Sequence, residues 1–141
     1  MHLRTVSLLV FIFFSSMSAQ AQLGFAVAKN RSGSSLDYAL IFNEGYQSEY
    51  LAKLDLKEKG FQRVYNLNGG SERGHNLRSG HYVVIKAVRK NYLGKKIISY
   101  GMGASNNSAE EAKRRAISNL KQYDWAWKEV HGYSIIEEGR F

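Results

Sequence analysis

The sequence predicts an α+β fold in which two similar β-β-α-β units form one mainly antiparallel sheet covered by two helices. Two observations predict it. Strand-like and helix-like segments follow the same order in both halves, and residues 25–29 match 82–86 in kind, as the helix from Ser48 matches that from Ser108. Because one unit alone cannot bury its sheet face, pairing two of them gives a shared core. An ordinary α+β domain with halves alike by chance is the alternative.

The first half is expected to contain two strands, a helix and a third strand. Strands at 25–29 and 38–42 flank a turn of Asn, Ser and Gly, residue types that favour turns. A helix over 48–59 is predicted to end before Gly60, because glycine commonly follows a helix. Residues 61–67 are predicted to form the third strand.

The second half repeats this order. Strands are predicted at 82–86 and 96–100, with a turn near Asn91 between them, and Gly101 and Gly103 are expected to break the second strand.

A helix over 108–122 has the clearest local pattern. Ser108 is a good N-cap residue, and Glu111 three positions later completes a capping box. The apolar side chains of this helix fall in one stripe at the helical period: Ala109, Ala112, Ala116, Ile117 and Leu120.

Closing strands are expected within 125–136. Trp125 and Trp127 alternate there and would share one face of a strand. A strand beneath a helix needs large apolar side chains, so both are expected in the core. A platform that stacks on sugar rings or bases is the alternative.

Residues 1–21 have the pattern of a secretory signal peptide. A cationic start is followed by a short apolar run and by Ala19-Gln20-Ala21, a small-x-small cleavage site. The apolar run is about half of the ~20 residues that a membrane-spanning helix needs. The sequence therefore predicts a secreted or periplasmic protein whose mature form, 22–141, has no transmembrane segment.

The mature chain has the length of one α+β domain, with halves 22–67 and 81–141 joined by a glycine-rich loop at 68–80. The sequence contains no Cys, which excludes disulfides, thiol catalysis and Cys-based metal sites. Of the 20 Lys and Arg residues, 19 remain without Arg4, against 12 Asp and Glu. This charge favours an anionic polymer or an acidic protein as partner, unless it serves solubility alone.

The most unusual segment is 66–81, which holds four Gly, three Asn, two Arg and two His. Glycine-rich backbone can present N–H groups to an anion, and Arg73 and Arg78 can add bidentate contacts. The sequence has no Walker-type or dinucleotide-binding pattern, so no cofactor is expected. A plain linker between the two halves is the alternative.

A basic hairpin follows this loop. Five cations and one aromatic residue lie within eleven positions: Lys86, Arg89, Lys90, Tyr92, Lys95 and Lys96. Such a cluster is typical of a surface that binds a polyanion. Lysines on hairpins also keep edge strands from aggregating, which is the alternative role.

His75 and His81 raise an alternative function, a small secreted hydrolase of the nuclease type. One His would act as base and the other as acid, while a cation stabilises the phosphorane. Glu72 and these two His residues could also hold a metal ion, but a metal site normally needs a third clear ligand and a rigid scaffold. A glycine-rich loop is a poor scaffold, so no metal site is expected.

The sequence thus favours an exported, non-catalytic binding module that uses the 68–81 loop and the 86–96 hairpin as its surface. The nuclease-like hydrolase is the first alternative. An inhibitor or immunity protein that blocks an acidic partner with the same surface is the second.

Overall fold

The structure is a computed structural model that describes residues 23–67 and 77–141. Its strands are β1 (Leu23–Lys29), β2 (Ser35–Phe42), β3 (Val64–Asn66), β4 (His81–Lys90), β5 (Lys96–Ser105) and β6 (Ser134–Arg140). Its helices are α1 (Ser48–Glu58) and α2 (Ala109–Tyr123), with short 3-10 turns at Gly45–Gln47 and Glu129–His131. These elements confirm the α+β class.

Several expectations lie outside the described residues. They are the signal peptide at 1–21 with its cleavage site before Gln22, and most of the glycine-rich loop, including Arg73 and His75. Within the described residues, no helix combines the length and the apolar character that crossing a bilayer requires.

The six strands form two antiparallel sheets of three strands, whereas the sequence predicted a single sheet. Sheet 1 has the order β2-β1-β3, and sheet 2 has the order β5-β4-β6. In each sheet the first strand lies in the middle. Its hairpin partner pairs on one side, and the strand that follows the helix pairs on the other.

The two sheets pack face to face and bury a shared core between them. The strand residues buried there are Leu23, Phe25, Val27, Val84, Tyr100, Met102 and Ala104. Aromatic rings join the sheets directly, because the ring centroids of Tyr38 and Tyr100 are 5.0 Å apart and those of Phe42 and Tyr82 are 4.8 Å apart.

Each helix covers the outer face of its own sheet. In α1, Ala52 and Leu56 pack against alanines of β1 and β2. In α2, Ala112, Ala116 and Leu120 pack against Val83, Ile85 and Ala87 of β4. The described residues therefore form four layers in the order α1, sheet 1, sheet 2, α2. The predicted apolar stripe is confirmed for these three residues of α2 and for Ile117, which is partly buried against them, while Ala109 is exposed.

The predicted N-cap of α2 at Ser108 is also confirmed, whereas the Glu111 side chain bonds to other partners than the capping box requires. The backbone N–H of Glu111 donates to Ser108 Oγ at 3.1 Å. The Glu111 carboxylate accepts hydrogen bonds from Asn107 Nδ2 at 2.9 Å and from Arg115 Nη2 at 2.7 Å.

Side chains occupy the outer edge of β5, which explains why the two sheets do not join. The N–H of Ile98 donates to Ser34 Oγ at 2.8 Å, and the N–H of Met102 donates to Asn119 Oδ1 at 3.0 Å. Asn119 Nδ2 in turn donates to the carbonyl of Leu67 at 2.7 Å. Because these backbone groups already have partners, they are not open to pairing with another strand.

β5 continues through Gly101 and Gly103, so the expectation that these glycines break the strand is wrong. A Cβ at Gly101 would collide with the carbonyl of Ala116, and a Cβ at Gly103 with the carbonyl of Ala112. The missing side chains allow α2 to lie directly on the strand.

The closing strand is β6, which begins later than expected, and neither tryptophan lies on it. Residues 124–133 form turns instead. Trp127 is 3% exposed, and its Nε1 donates to the carbonyl of Gly132 at 2.9 Å. Trp125 is 84% exposed. The expected core role therefore holds for Trp127 and is wrong for Trp125.

Gly103→Ala is expected to lower the free energy of unfolding by about 1–3 kcal/mol, because the added methyl group overpacks the contact between β5 and α2. Gly139→Ala in β6 is the matched control, since its Cβ would meet only the ring of Tyr82, nearest at 3.1 Å. Urea denaturation measures both. Equal losses for the two variants would contradict this account of the close approach.

Candidate functional site: a basic groove between two hairpin turns

An open groove of about 640 Å³ lies where both hairpin turns meet the C-terminal end of α2. We call it the basic groove. Its lining residues are Lys29, Ser32, Gly33, Arg89, Lys90, Asn91, Tyr92, Ile97, Ser99, Tyr123, Asp124, Trp125, Ala126 and His131.

Three parts of the chain supply these residues. The end of β1 and the turn after it supply Lys29 and its neighbours, and the hairpin of β4 and β5 supplies the residues from Arg89 to Ser99. The segment after α2 supplies Asp124, Trp125 and His131. The groove thus depends on both sheets, because β1 belongs to sheet 1 and β4 to sheet 2.

A largely buried ion pair joins Arg89 and Asp124 at the groove. Arg89 Nη2 lies 2.7 Å from Asp124 Oδ1, and Arg89 Nε lies 3.0 Å from Oδ2. Ser99 Oγ donates to the same carboxylate at 2.6 Å. The pair connects the end of β4 to the C-terminal end of α2, so it fixes one wall of the groove.

This network keeps Asp124 charged. Burial alone raises the pKa of the Asp124 carboxyl, but hydrogen bonds from Arg89 and Ser99 and the positive charge of Arg89 outweigh it. The pKa therefore lies below its ordinary value of 3.8.

Lys29 is the half-buried cation of the groove. Burial lowers the pKa of its ammonium group, and the charge of Asp124 offsets only part of that effect. Lys29 Nζ lies 5.9 Å from the ring centroid of Tyr65, and it forms no ion pair with a described residue. Asp124 therefore compensates the charge of Lys29 only in part, and an anion in the groove would compensate it further.

The predicted hairpin residues divide into three groups. Lys90 and Tyr92 line the groove. Arg89 also lines it, but Asp124 neutralises its charge. Lys95 and Lys96 are exposed outside the lining, while Lys86 is half-buried in the middle of β4. None of the four lysines forms an ion pair with a described residue.

Exposed aromatic side chains stand at the groove. Trp125 is 84% exposed and Tyr92 is 95% exposed.

His131 is held by its own turn, since its Nδ1 accepts a hydrogen bond from the N–H of Lys128 at 2.8 Å.

The described part of the loop lies at the other end of β4 from the groove. His81 begins β4 and lies beside Glu138 and Arg140, and Arg78 is exposed three residues before it. Eight residues of strand at about 3.4 Å each separate His81 from Arg89, which is roughly 27 Å. The loop and the hairpin, expected as one surface, are separated at their described residues.

Sequence reasoning missed Lys29 and Asp124 as groove residues, and it gave Trp125 a binding role only as the alternative to a core role. The only signal for Lys29 is that Lys-Asn precedes a turn glycine there, as it does at Lys90. Asp124 has no local signal, because its partner Arg89 is 35 residues away in the chain.

The described residues contain no group of three or more His, Asp or Glu side chains that could hold a metal ion. In the comparisons with known proteins, no family model, curated protein or solved structure matches the chain.

Asp124→Asn is expected to lower the free energy of unfolding by about 3–5 kcal/mol at neutral pH, because Arg89 would stay buried without a countercharge. Asp124 has a lowered pKa in the folded state, so its contribution is present above pH 3.8 and is lost as the pH falls through the folded-state pKa. The difference in free energy of unfolding between wild type and Asp124→Asn should therefore become smaller at acidic pH. Urea denaturation at neutral and acidic pH measures it.

Asp55→Asn is the matched control. It removes an exposed i,i+4 partner of Lys59 and should change stability by less than about 1 kcal/mol. The double variant Arg89→Met, Asp124→Leu should be closer to wild type in stability than Asp124→Asn is, since it leaves no buried charge. If Asp124→Asn lowers the free energy of unfolding no more than Asp55→Asn does, the stabilising role given to the pair of Arg89 and Asp124 is contradicted.

Proposed function

We propose that this protein is a non-catalytic binding module that holds an anionic polymer in the basic groove. The observation that carries the proposal is a pair of lysines, Lys29 and Lys90, that line one groove without an ion-pair partner among the described residues. Lys29 supports it further, because a half-buried ammonium group that Asp124 compensates only in part favours binding of an anion.

The aromatic residues fit the same function. Trp125 and Tyr92 expose flat rings beside the lysines, and such rings stack on bases or sugar rings of a polymer. Lys95 and Lys96, on the far arm of the hairpin, add long-range attraction for a polyanion without lining the groove. Arg89 has a positioning role, since its charge is taken up by Asp124.

We also propose that the protein is exported and meets its ligand outside the cytoplasm. This rests on the signal-peptide pattern of residues 1–21. Polymers of the cell envelope and released nucleic acid are anionic ligands available in such a location. Mass measurement of the exported protein tests this point, with cleavage before Gln22 as the expected result.

The hydrolase hypothesis requires a different surface from the basic groove. His81 lies at the opposite end of β4, and His75 lies outside the described residues. Binding without turnover therefore remains our proposal, and the His residues serve as a test of it.

Binding of polyphosphate and of a single-stranded oligonucleotide to the purified protein is expected to weaken more than about tenfold between about 50 and 200 mM salt, because counterions compete for the lysines. Replacing Lys90, Lys95 and Lys96 together by Gln should weaken binding relative to wild type at the same salt concentration. Fluorescence anisotropy measures both effects.

Neutralising Lys57, Arg114 and Arg140 to Gln together is the matched control, since these exposed cations lie outside the groove. The control should retain most of the binding, and His81→Ala should retain all of it at neutral pH. Salt-independent binding, or equal losses for both triple variants, would contradict the proposal. Hydrolysis of the oligonucleotide that His81→Ala abolishes would favour the hydrolase.

A further inference from the structure

The two hairpin turns beside the basic groove have the same hydrogen-bond pattern. In the first turn, Asn30 N–H donates to the carbonyl of Ser34 at 2.9 Å, and Gly33 N–H donates to the carbonyl of Asn30 at 3.2 Å. Asn30 Oδ1 accepts from the N–H groups of Ser32 and Ser34, both at 3.0 Å.

The second turn repeats each of these bonds. Asn91 N–H donates to the carbonyl of Lys95 at 2.8 Å, and Gly94 N–H donates to the carbonyl of Asn91 at 2.9 Å. Asn91 Oδ1 accepts from the N–H groups of Leu93 and Lys95, both at 2.9 Å. The glycines also match, with φ of +86° at Gly33 and +77° at Gly94, where a side chain would be strained.

The match extends beyond the turns at a constant offset. β1 ends at Lys29 and β4 at Lys90, β2 begins at Ser35 and β5 at Lys96, and α1 begins at Ser48 and α2 at Ala109. Each pair is 61 residues apart. Lys29 and Lys90, each directly before the Asn of its turn, are therefore structural equivalents. The match of 25–29 with 82–86 expected from the sequence has a different offset.

Both equivalent lysines line the same groove, between turns of the same geometry. We infer that Lys29 and Lys90 bind two successive phosphate groups of one linear chain that crosses the groove from one turn to the other. This inference deepens the proposed function and rests on it.

The cations available in the groove fit phosphate groups. An arginine fork pairs bidentately with carboxylate and with phosphate, but the fork of Arg89 is already taken by Asp124. The two remaining groove cations are lysines, which act as compact point charges and are common phosphate ligands.

Two sources can supply successive phosphates, inorganic polyphosphate and a single-stranded nucleic acid. The exposed ring of Trp125 distinguishes them, because only the nucleic acid brings bases that stack on it. Trp125→Ala should therefore weaken binding of an oligonucleotide and leave binding of polyphosphate unchanged.

The test compares orthophosphate, tripolyphosphate and oligo(dT) as probes of the full-length protein by titration calorimetry. Tripolyphosphate should bind at least about tenfold more tightly than orthophosphate, because it meets both lysines. Lys29→Gln and Lys90→Gln should weaken the binding of tripolyphosphate by similar factors. Each should also reduce the slope of log affinity against log salt concentration by about one. Lys29→Arg keeps the charge and should keep most of the affinity.

Arg140→Gln is the charge-matched control and should have little effect, since Arg140 lies beside His81 at the other end of β4. Circular dichroism melting shows whether each variant folds. The inference is overturned if one lysine alone accounts for the affinity, or if oligogalacturonate binds as tightly as polyphosphate of equal charge. Absence of any polyanion binding by wild type would overturn the proposed function itself.

Discussion

Each three-stranded sheet has two faces, and its own helix covers only one of them. The second face is buried against the other sheet, so the two sheets share one core. Tyr38 against Tyr100 and Phe42 against Tyr82 make that contact. The stability of either half therefore depends on the other, and substitutions at these rings should affect both sheets.

Stacking two sheets by their faces leaves strand edges that need other partners. At β5 the edge is satisfied by Ser34 from the first hairpin turn and by Asn119 from α2. The contact from Ser34 has a second consequence, because it holds the first turn beside β5 and α2. The groove forms there, with Lys29 on one side and Asp124 on the other. One hydrogen bond thus serves both the fold and the candidate site.

Local patterns predicted the parts of the fold that local chemistry decides. The cap at Ser108, the buried alanines of α2 and the glycine after α1 needed only neighbouring residues. The number of sheets depends on which edges find partners, and those partners are 17 to 64 residues away. Gly101 was misread for the same reason: a strand break and a close helix contact call for the same residue.

The candidate site was half predictable. A cluster of cations in one hairpin marked Lys90 and Tyr92, which do line the groove. The number of cations in the hairpin was misleading, because the charge of Arg89 is neutralised and three of the lysines, Lys86, Lys95 and Lys96, lie outside the groove lining. The sequence alone does not distinguish Lys29 from the other lysines, because its equivalence with Lys90 depends on two turns that lie at the same groove in the structure.

The charge that remains in the groove limits how the site can work. With Arg89 and Asp124 paired, Lys29 and Lys90 are its two cations without an ion-pair partner among the described residues. Two cations release few counterions, so affinity from charge alone is modest at physiological salt. A ligand held there needs a second source of binding energy, and the exposed rings of Trp125 and Tyr92 are the groups placed to supply it. Charge would then guide the polymer to the groove, while stacking selects which polymer stays.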